Sequence, residues 1–125
     1  NGEGWGLCHD NTSMIISDGS NRIMYVNPET FAIEKTIYVY AGDKDVQLLN
    51  ELEYHDGYIY ANVYTTNQIV KIEANTGKVV AVANLNDLDK ANPKADVLNG
   101  IAWDPATKDF IITGKYWGKL YHVKM

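Results

Sequence analysis

Apolar and polar residues alternate along this chain in short runs with a period of two. Ile59-Tyr60-Ala61-Asn62-Val63-Tyr64 and Ile69-Val70-Lys71-Ile72 are such runs, punctuated by turn sequences such as Asp56-Gly57 and Asn75-Thr76-Gly77. Side chains that alternate in this way face opposite sides of an extended strand, so the pattern predicts sheets rather than helices. The same local plan occurs three times. Gly4-Trp5-Gly6-Leu7-Cys8-His9-Asp10 opens one copy, Asn50-Glu51-Leu52-Glu53-Tyr54-His55-Asp56 a second, and the segment from Ala95 to Pro105 a third. Aligned on Leu7, Leu52 and Ile101, the copies are spaced by about 45 and 49 residues, the period of a propeller blade.

Strands are predicted at 6–9, 14–18, 22–27 and 32–40 in the first copy, and at 52–54, 58–64, 68–73 and 78–84 in the second. The third offers 100–104, 110–113 and 119–124. Four antiparallel strands per repeat describe a blade, so the expectation is all-β: two complete four-stranded blades plus a three-stranded third, at about 4–44, 50–86 and 98–125. Closed propellers generally have four to eight blades. The sequence therefore predicts completion by a longer polypeptide or by another chain, with a three-stranded blade whose edge invites pairing. The loop 84–94, with Asp87, Asp89 and Pro93, carries a predicted helical turn at 85–90 and is a candidate pocket rim.

Composition narrows the choice. The 125 residues are 46% hydrophobic, enough for a core, and carry a formal charge of −5 with no basic cluster. That balance argues against nucleic acid or an anionic membrane as partner. The longest apolar runs are strand-sized, which predicts no membrane-spanning helix. No signal peptide is visible, and a first residue of Asn1 rather than Met fits processing or excision from a precursor. Cys8 is the single cysteine, excluding an internal disulfide and a cysteine zinc set, and it is expected to be buried. His9 and His55 hold equivalent repeat positions before Asp10 and Asp56, which predicts a repeated turn contact with the aspartate. With His122 far away in sequence, no histidine metal centre is expected. Glu51 and Glu53 should point to one side of a strand, where like charge raises a pKa. They read either as a general acid or as structural hydrogen-bonding groups between blades.

The phrases GEGWGL, LNELEY, ANVY, ADVLNGIAWDP and TGKYWGKLYHV, in this order and spacing, resemble the C-terminal half of the plant and bacterial glutaminyl cyclases, the glutamine cyclotransferases, from Gly2 to Val123. The resemblance implies a five-bladed propeller without its N-terminal blades and a cofactor-free acyl transfer. In that reaction the N-terminal glutamine of a peptide or protein closes to pyroglutamate with release of ammonia. Such chemistry needs a neutral α-amine, a stabilised tetrahedral oxygen and a protonated leaving nitrogen, in a pocket that selects the ring-closing conformer.

By the same resemblance, Trp5 belongs to the aromatic wall, with Gly4 and Gly6 leaving room for close approach on either side. Asn50 binds the substrate amide, and Lys115 stabilises the oxyanion by charge. Tyr64 stands where the plant enzymes have tryptophan, keeping an aromatic face and adding a hydroxyl. Gly118 replaces a proline and loosens the turn after Trp117. The family's acid/base glutamate lies in the segment not matched, so Glu51 and Glu53 are read as structural. Asp96 and Asn99 are read as ties between the start of the third blade and its neighbour, with an outlook onto the central channel as the alternative. Relatives are commonly exported to the periplasm, secreted or held at the envelope. The alternative is a non-catalytic partial propeller that binds peptides or proteins, or assembles through open edges. The two readings separate on whether a missing propeller half or a second copy supplies the glutamate.

Overall fold

The computed structural model describes residues 4–85, 98–114, 117 and 120–125. Three antiparallel sheets follow one another along the chain. The first contains β1 (Gly6–His9), β2 (Met14–Ser17), β3 (Arg22–Val26) and β4 (Ile33–Tyr38), neighbours in that order. A two-stranded hairpin, β5 (Tyr40–Ala41) and β6 (Lys44–Asp45), leads out of it. The second sheet holds β7 (Leu49–His55), β8 (Tyr58–Val63), β9 (Gln68–Glu73) and β10 (Val79–Asn84). The third holds β11 (Leu98–Asp104), β12 (Asp109–Gly114) and β13 (Tyr121–Val123). Among the described residues there is no helix, and none is long and apolar enough to cross a membrane. The predicted helical turn at 85–90 and the ties at Asp96 and Asn99 lie outside the described residues or side chains.

Register explains the core. Across the first sheet Cys8 faces Ile15 and Ile15 faces Tyr25, while Ser17 faces Ile23 and Ile23 faces Ile37, so one face presents a continuous apolar surface. It packs on the row Leu52, Ala61, Val70 and the pair Ile59 and Ile72 of the second sheet. The opposite face of the second sheet, with Tyr60 and Ile69, packs on Leu98, Ile101, Phe110 and Ile112 of the third. The middle sheet is thus covered on both sides, and Ile59 through Asn62 on β8 are all buried. A strand buried on both faces loses the alternation of a half-buried one.

The first strands of the sheets run side by side, β7 packing on both β1 and β11. This is the blade arrangement of a propeller, whose inner strands surround a central channel. Two local features departed from expectation. The first-copy outer strand was predicted to run to residue 40, but it stops at Tyr38, and a hairpin turning at Gly42 follows. The second-copy inner strand begins at Leu49 rather than 52, because a bulge between Leu49 and Leu52 lets it continue past an irregular pairing.

Candidate active site

Trp5, Asn50 and Tyr64 gather near the start of β1 and β7. Trp5 precedes β1, and its N–H donates to Ser17 O at 3.0 Å, which pairs the chain end of β1 with the end of β2. The indole rests on Gly19, where a Cβ would lie 2.5 Å from ring atom Cε2. Gly19 also has a φ of +83°, so two independent constraints require glycine beneath the tryptophan. Tyr64 follows β8 and turns its ring edge toward Trp5, with centroids 5.3 Å apart and planes at 74°. That is the edge-to-face geometry in which ring quadrupoles attract. Tyr64 N–H donates to Leu48 O at 2.8 Å, which fixes the backbone from which the ring projects.

Asn50 is buried inside β7, and its carbonyl accepts the Ser17 hydroxyl at 2.6 Å. Gly6 presses on the same carbonyl, since a Cβ there would lie 1.9 Å from Asn50 O and 2.9 Å from Ser17 Oγ. Of the close approach by a backbone or a ligand expected at Gly4 and Gly6, the backbone approach occurs at Gly6, and the space at Gly4 is open. At Gly6 the space is taken by the neighbouring blade's backbone. The loop below, residues 18–21, is braced by Asp18. Its carboxylate accepts the Ser20 N–H at 3.0 Å and the Arg22 Nη2 at 2.6 Å, and the Ser20 hydroxyl as well. Burial pushes the Asp18 carboxyl up, but these hydrogen bonds from Ser20 and Arg22 outweigh it and hold the pKa below its ordinary value.

A groove of about 420 Å³ opens beside Trp5, lined also by Gly4, Gly6, Leu7, Ile16 and Glu51. Burial lifts the Glu51 carboxyl above its ordinary pKa. Its neighbour in the sequence pair has a different fate. Glu53 accepts the Trp103 N–H of the third sheet at 2.8 Å through one oxygen and the Tyr54 N–H at 3.1 Å through the other. Glu53 thus ties two sheets together, as the structural reading of the pair expected, while Glu51 stands at the groove. Lys115 lies outside the described residues.

Sequence reasoning passed over Gly19 and Asn62. Asn62 is 1% exposed, accepts the Glu51 N–H at 2.8 Å, and donates to Leu98 O of the third sheet at 2.8 Å. Its signal was visible, an amide in the middle of an apolar strand, because a buried polar group in such a place must find partners. The predicted histidine–aspartate contact does not recur. His9 Nδ1 accepts the Asn11 N–H at 3.2 Å, whereas His55 stacks on Trp103 with centroids 3.8 Å apart. Cys8 is buried, and desolvation, followed by the charges of Glu53 and Asp10, pushes its thiol up to about 12.

Among the described residues one group could hold a cation. Ligand atoms of Asp104, Asp109 and His122 lie within 4.8 Å of one another. The same Asp109 oxygen already accepts the Thr107 hydroxyl and lies 3.0 Å from His122 Nδ1, so the group closes on itself. Those hydrogen bonds from Thr107 and His122 lower the Asp109 pKa. This group sits on the third sheet, away from Trp5 and Tyr64.

The description of the glutamine cyclotransferases as a sequence family matches residues 1–125. The chain belongs to the glutamine cyclotransferase family. Within that family, a glutaminyl-peptide cyclotransferase of Arabidopsis thaliana is 36% identical over 129 residues, covering 98% of this chain and 40% of that protein. The crystal structure of Myxococcus xanthus glutaminyl cyclase superposes with a TM-score of 0.90 at 38% identity, covering 99% of this chain and 56% of that one. This chain therefore spans only part of the length of either relative. The WD40 β-propeller domain of Doa1 matches with a TM-score of 0.57 at 14% identity, over 93% of this chain and 35% of that one, a likeness of fold alone.

Proposed function

We propose that this chain forms part of a glutaminyl-peptide cyclotransferase, an enzyme that cyclises the N-terminal glutamine of peptides or proteins to pyroglutamate and releases ammonia. The observation that carries the reading is the Trp5–Tyr64 wall, 5.3 Å between centroids, at the end of the two sheets where Asn50 is buried in β7. Two aromatic faces suit the aliphatic stem of a glutamine side chain, which they would grip and desolvate. Asn50 is assigned to the side-chain amide and Lys115 to the oxygen that becomes negative at the tetrahedral stage. The α-amine attacks the amide carbon and gives up a proton, that carbon's bond to the side-chain nitrogen breaks, and the nitrogen leaves as ammonia after accepting a proton. No cofactor enters this balance.

The proton donor is assigned to a glutamate on blades beyond this chain, supplied by the same polypeptide or by a second copy. The reading places the protein outside the cytoplasm, in the periplasm, secreted or at the envelope, by analogy with the family. The test is intact mass and light scattering on the purified full-length protein, together with ammonia release from a peptide beginning with glutamine. Turnover lost in Lys115→Ala and Asn50→Ala supports the reading. A folded species without turnover above the buffer rate sinks it and leaves a peptide- or protein-binding propeller.

A further inference from the structure

One residue that no motif pointed to sits at the junction of everything holding the aromatic wall. Leu48 has a φ of +62°, in the left-handed region that leucine rarely adopts. In an extended residue the N–H and C=O point to the same side, as in a strand that exchanges both bonds with one partner. In a helical conformation of either hand they point in opposite directions. Leu48 uses that difference. Its N–H donates to Gly19 O at 3.1 Å, in the loop between β2 and β3, and its carbonyl accepts the Tyr64 N–H at 2.8 Å, just past β8.

The contacts close into a circuit. Gly19 supports the Trp5 ring, Leu48 links Gly19 to Tyr64, and the Tyr64 ring returns to Trp5. The strained conformation is held from outside. Leu49 is fully buried and donates its N–H to Ser20 O at 3.4 Å, and the next carbonyl, that of Asn50, accepts the Ser17 hydroxyl at 2.6 Å. Strain over-determined by its surroundings is the kind that persists at functional sites. We propose that Leu48 is a positioning residue, whose left-handed backbone sets the angle and spacing of Trp5 and Tyr64 and so the slot for the apolar stem of the substrate side chain.

The proposal rests on the cyclotransferase reading for its substrate, and on the circuit alone for its geometry. A wall that grips the stem binds ground and transition states alike, so disturbing it raises KM and leaves kcat nearly unchanged. In the full-length protein, Leu48→Val places a β-branched residue where the left-handed region is most unfavourable, and KM for a glutamine peptide is expected to rise about tenfold with kcat within about twofold. Leu48→Asn, whose side chain tolerates that region, recovers most of the loss. Phe31→Val is the control, since Phe31 has a φ of +61° in a remote turn, and its KM stays that of the wild type. Gly19→Ala drives a Cβ into the Trp5 ring and tests the opposite corner if Leu48→Val does not fold.

Near-ultraviolet circular dichroism reads the circuit without activity. The signal lost in Trp5→Phe should weaken in Leu48→Val or Gly19→Ala and return in Leu48→Asn. Equal KM values for Leu48→Val and wild type, or a Leu48→Asn no better than Leu48→Val, overturn the proposal. A wild-type protein without turnover but with this dichroism pattern overturns the cyclotransferase reading and leaves the positioning role standing.

Discussion

The two junctions between sheets are built from different chemistry. Between the first and second sheets, aliphatic side chains interlock and backbones come into contact wherever a side chain is missing, at Gly6 on Asn50 and at Gly77 on Tyr38, where a Cβ would lie 2.2 Å from the carbonyl oxygen. Between the second and third, aromatic rings dominate. Phe110 lies 4.3 Å from Tyr60 and 5.1 Å from Trp103, which stacks on His55, and Asn62 and Glu53 each bond the facing backbone. The candidate site stands on the first junction. A wall whose spacing matters is better supported by backbone contacts, which cannot change rotamer, than by rings, which can tilt.

The comparison is broken most strongly at Phe110. Phe110→Ala removes the fully buried ring that joins three other aromatic residues, and about 4 kcal/mol of stability should go with it. Chemical denaturation would measure this, and the Trp5–Tyr64 dichroism should survive because the first junction is untouched. Gly6→Ala attacks that first junction. Its Cβ meets a backbone carbonyl that has no flexible end to move, so a loss of about 3 kcal/mol is expected, with the wall signal lost as well. A wall signal unchanged in Gly6→Ala would show that the site does not depend on this contact.

Asn62→Leu leaves the Leu98 carbonyl and the Glu51 N–H without their buried partner and should cost about 2 kcal/mol by the same denaturation midpoint. The smallest effect is electrostatic. Asp18 has a folded pKa below its ordinary 3.8, so its contribution is fully present above that value and is lost as pH falls through the lower folded pKa. Asp18→Asn should cost about 1 kcal/mol at neutral pH and flatten the acid limb of stability below about pH 4. An acid limb as steep as that of the wild type would assign it to other carboxylates.

Much of the architecture was legible because it rests on local signals. The period of two, the turn pair Asp56-Gly57 and the repeat spacing placed strands such as Gly6–His9 and Gln68–Glu73 at their observed bounds. The hairpin at Tyr40–Ala41 and Lys44–Asp45 was not legible. Its two-residue strands carry too few positions for a pattern, and it is held by contacts such as Tyr40 N–H to Gly77 O on the next sheet. The site divides in the same way. Trp5, Asn50 and Tyr64 could be singled out from phrases of sequence, but that Trp5 touches Tyr64, 59 positions further along the chain, follows only from the packing of two sheets.

The glutamate pair makes the same point most sharply. In sequence Glu51 and Glu53 are equivalent, two carboxylates one alternation apart. The bulge between Leu49 and Leu52 and the arrival of the third sheet separate them, giving Glu53 the Trp103 N–H and leaving Glu51 at the groove. By itself the sequence determined the longer strands, their faces and the repeat, because these depend on which neighbours along the chain are apolar and which can turn. Only the tertiary structure decided which glycine makes room for a backbone and which carboxylate is desolvated. Those outcomes depend on distances between residues that the chain does not connect.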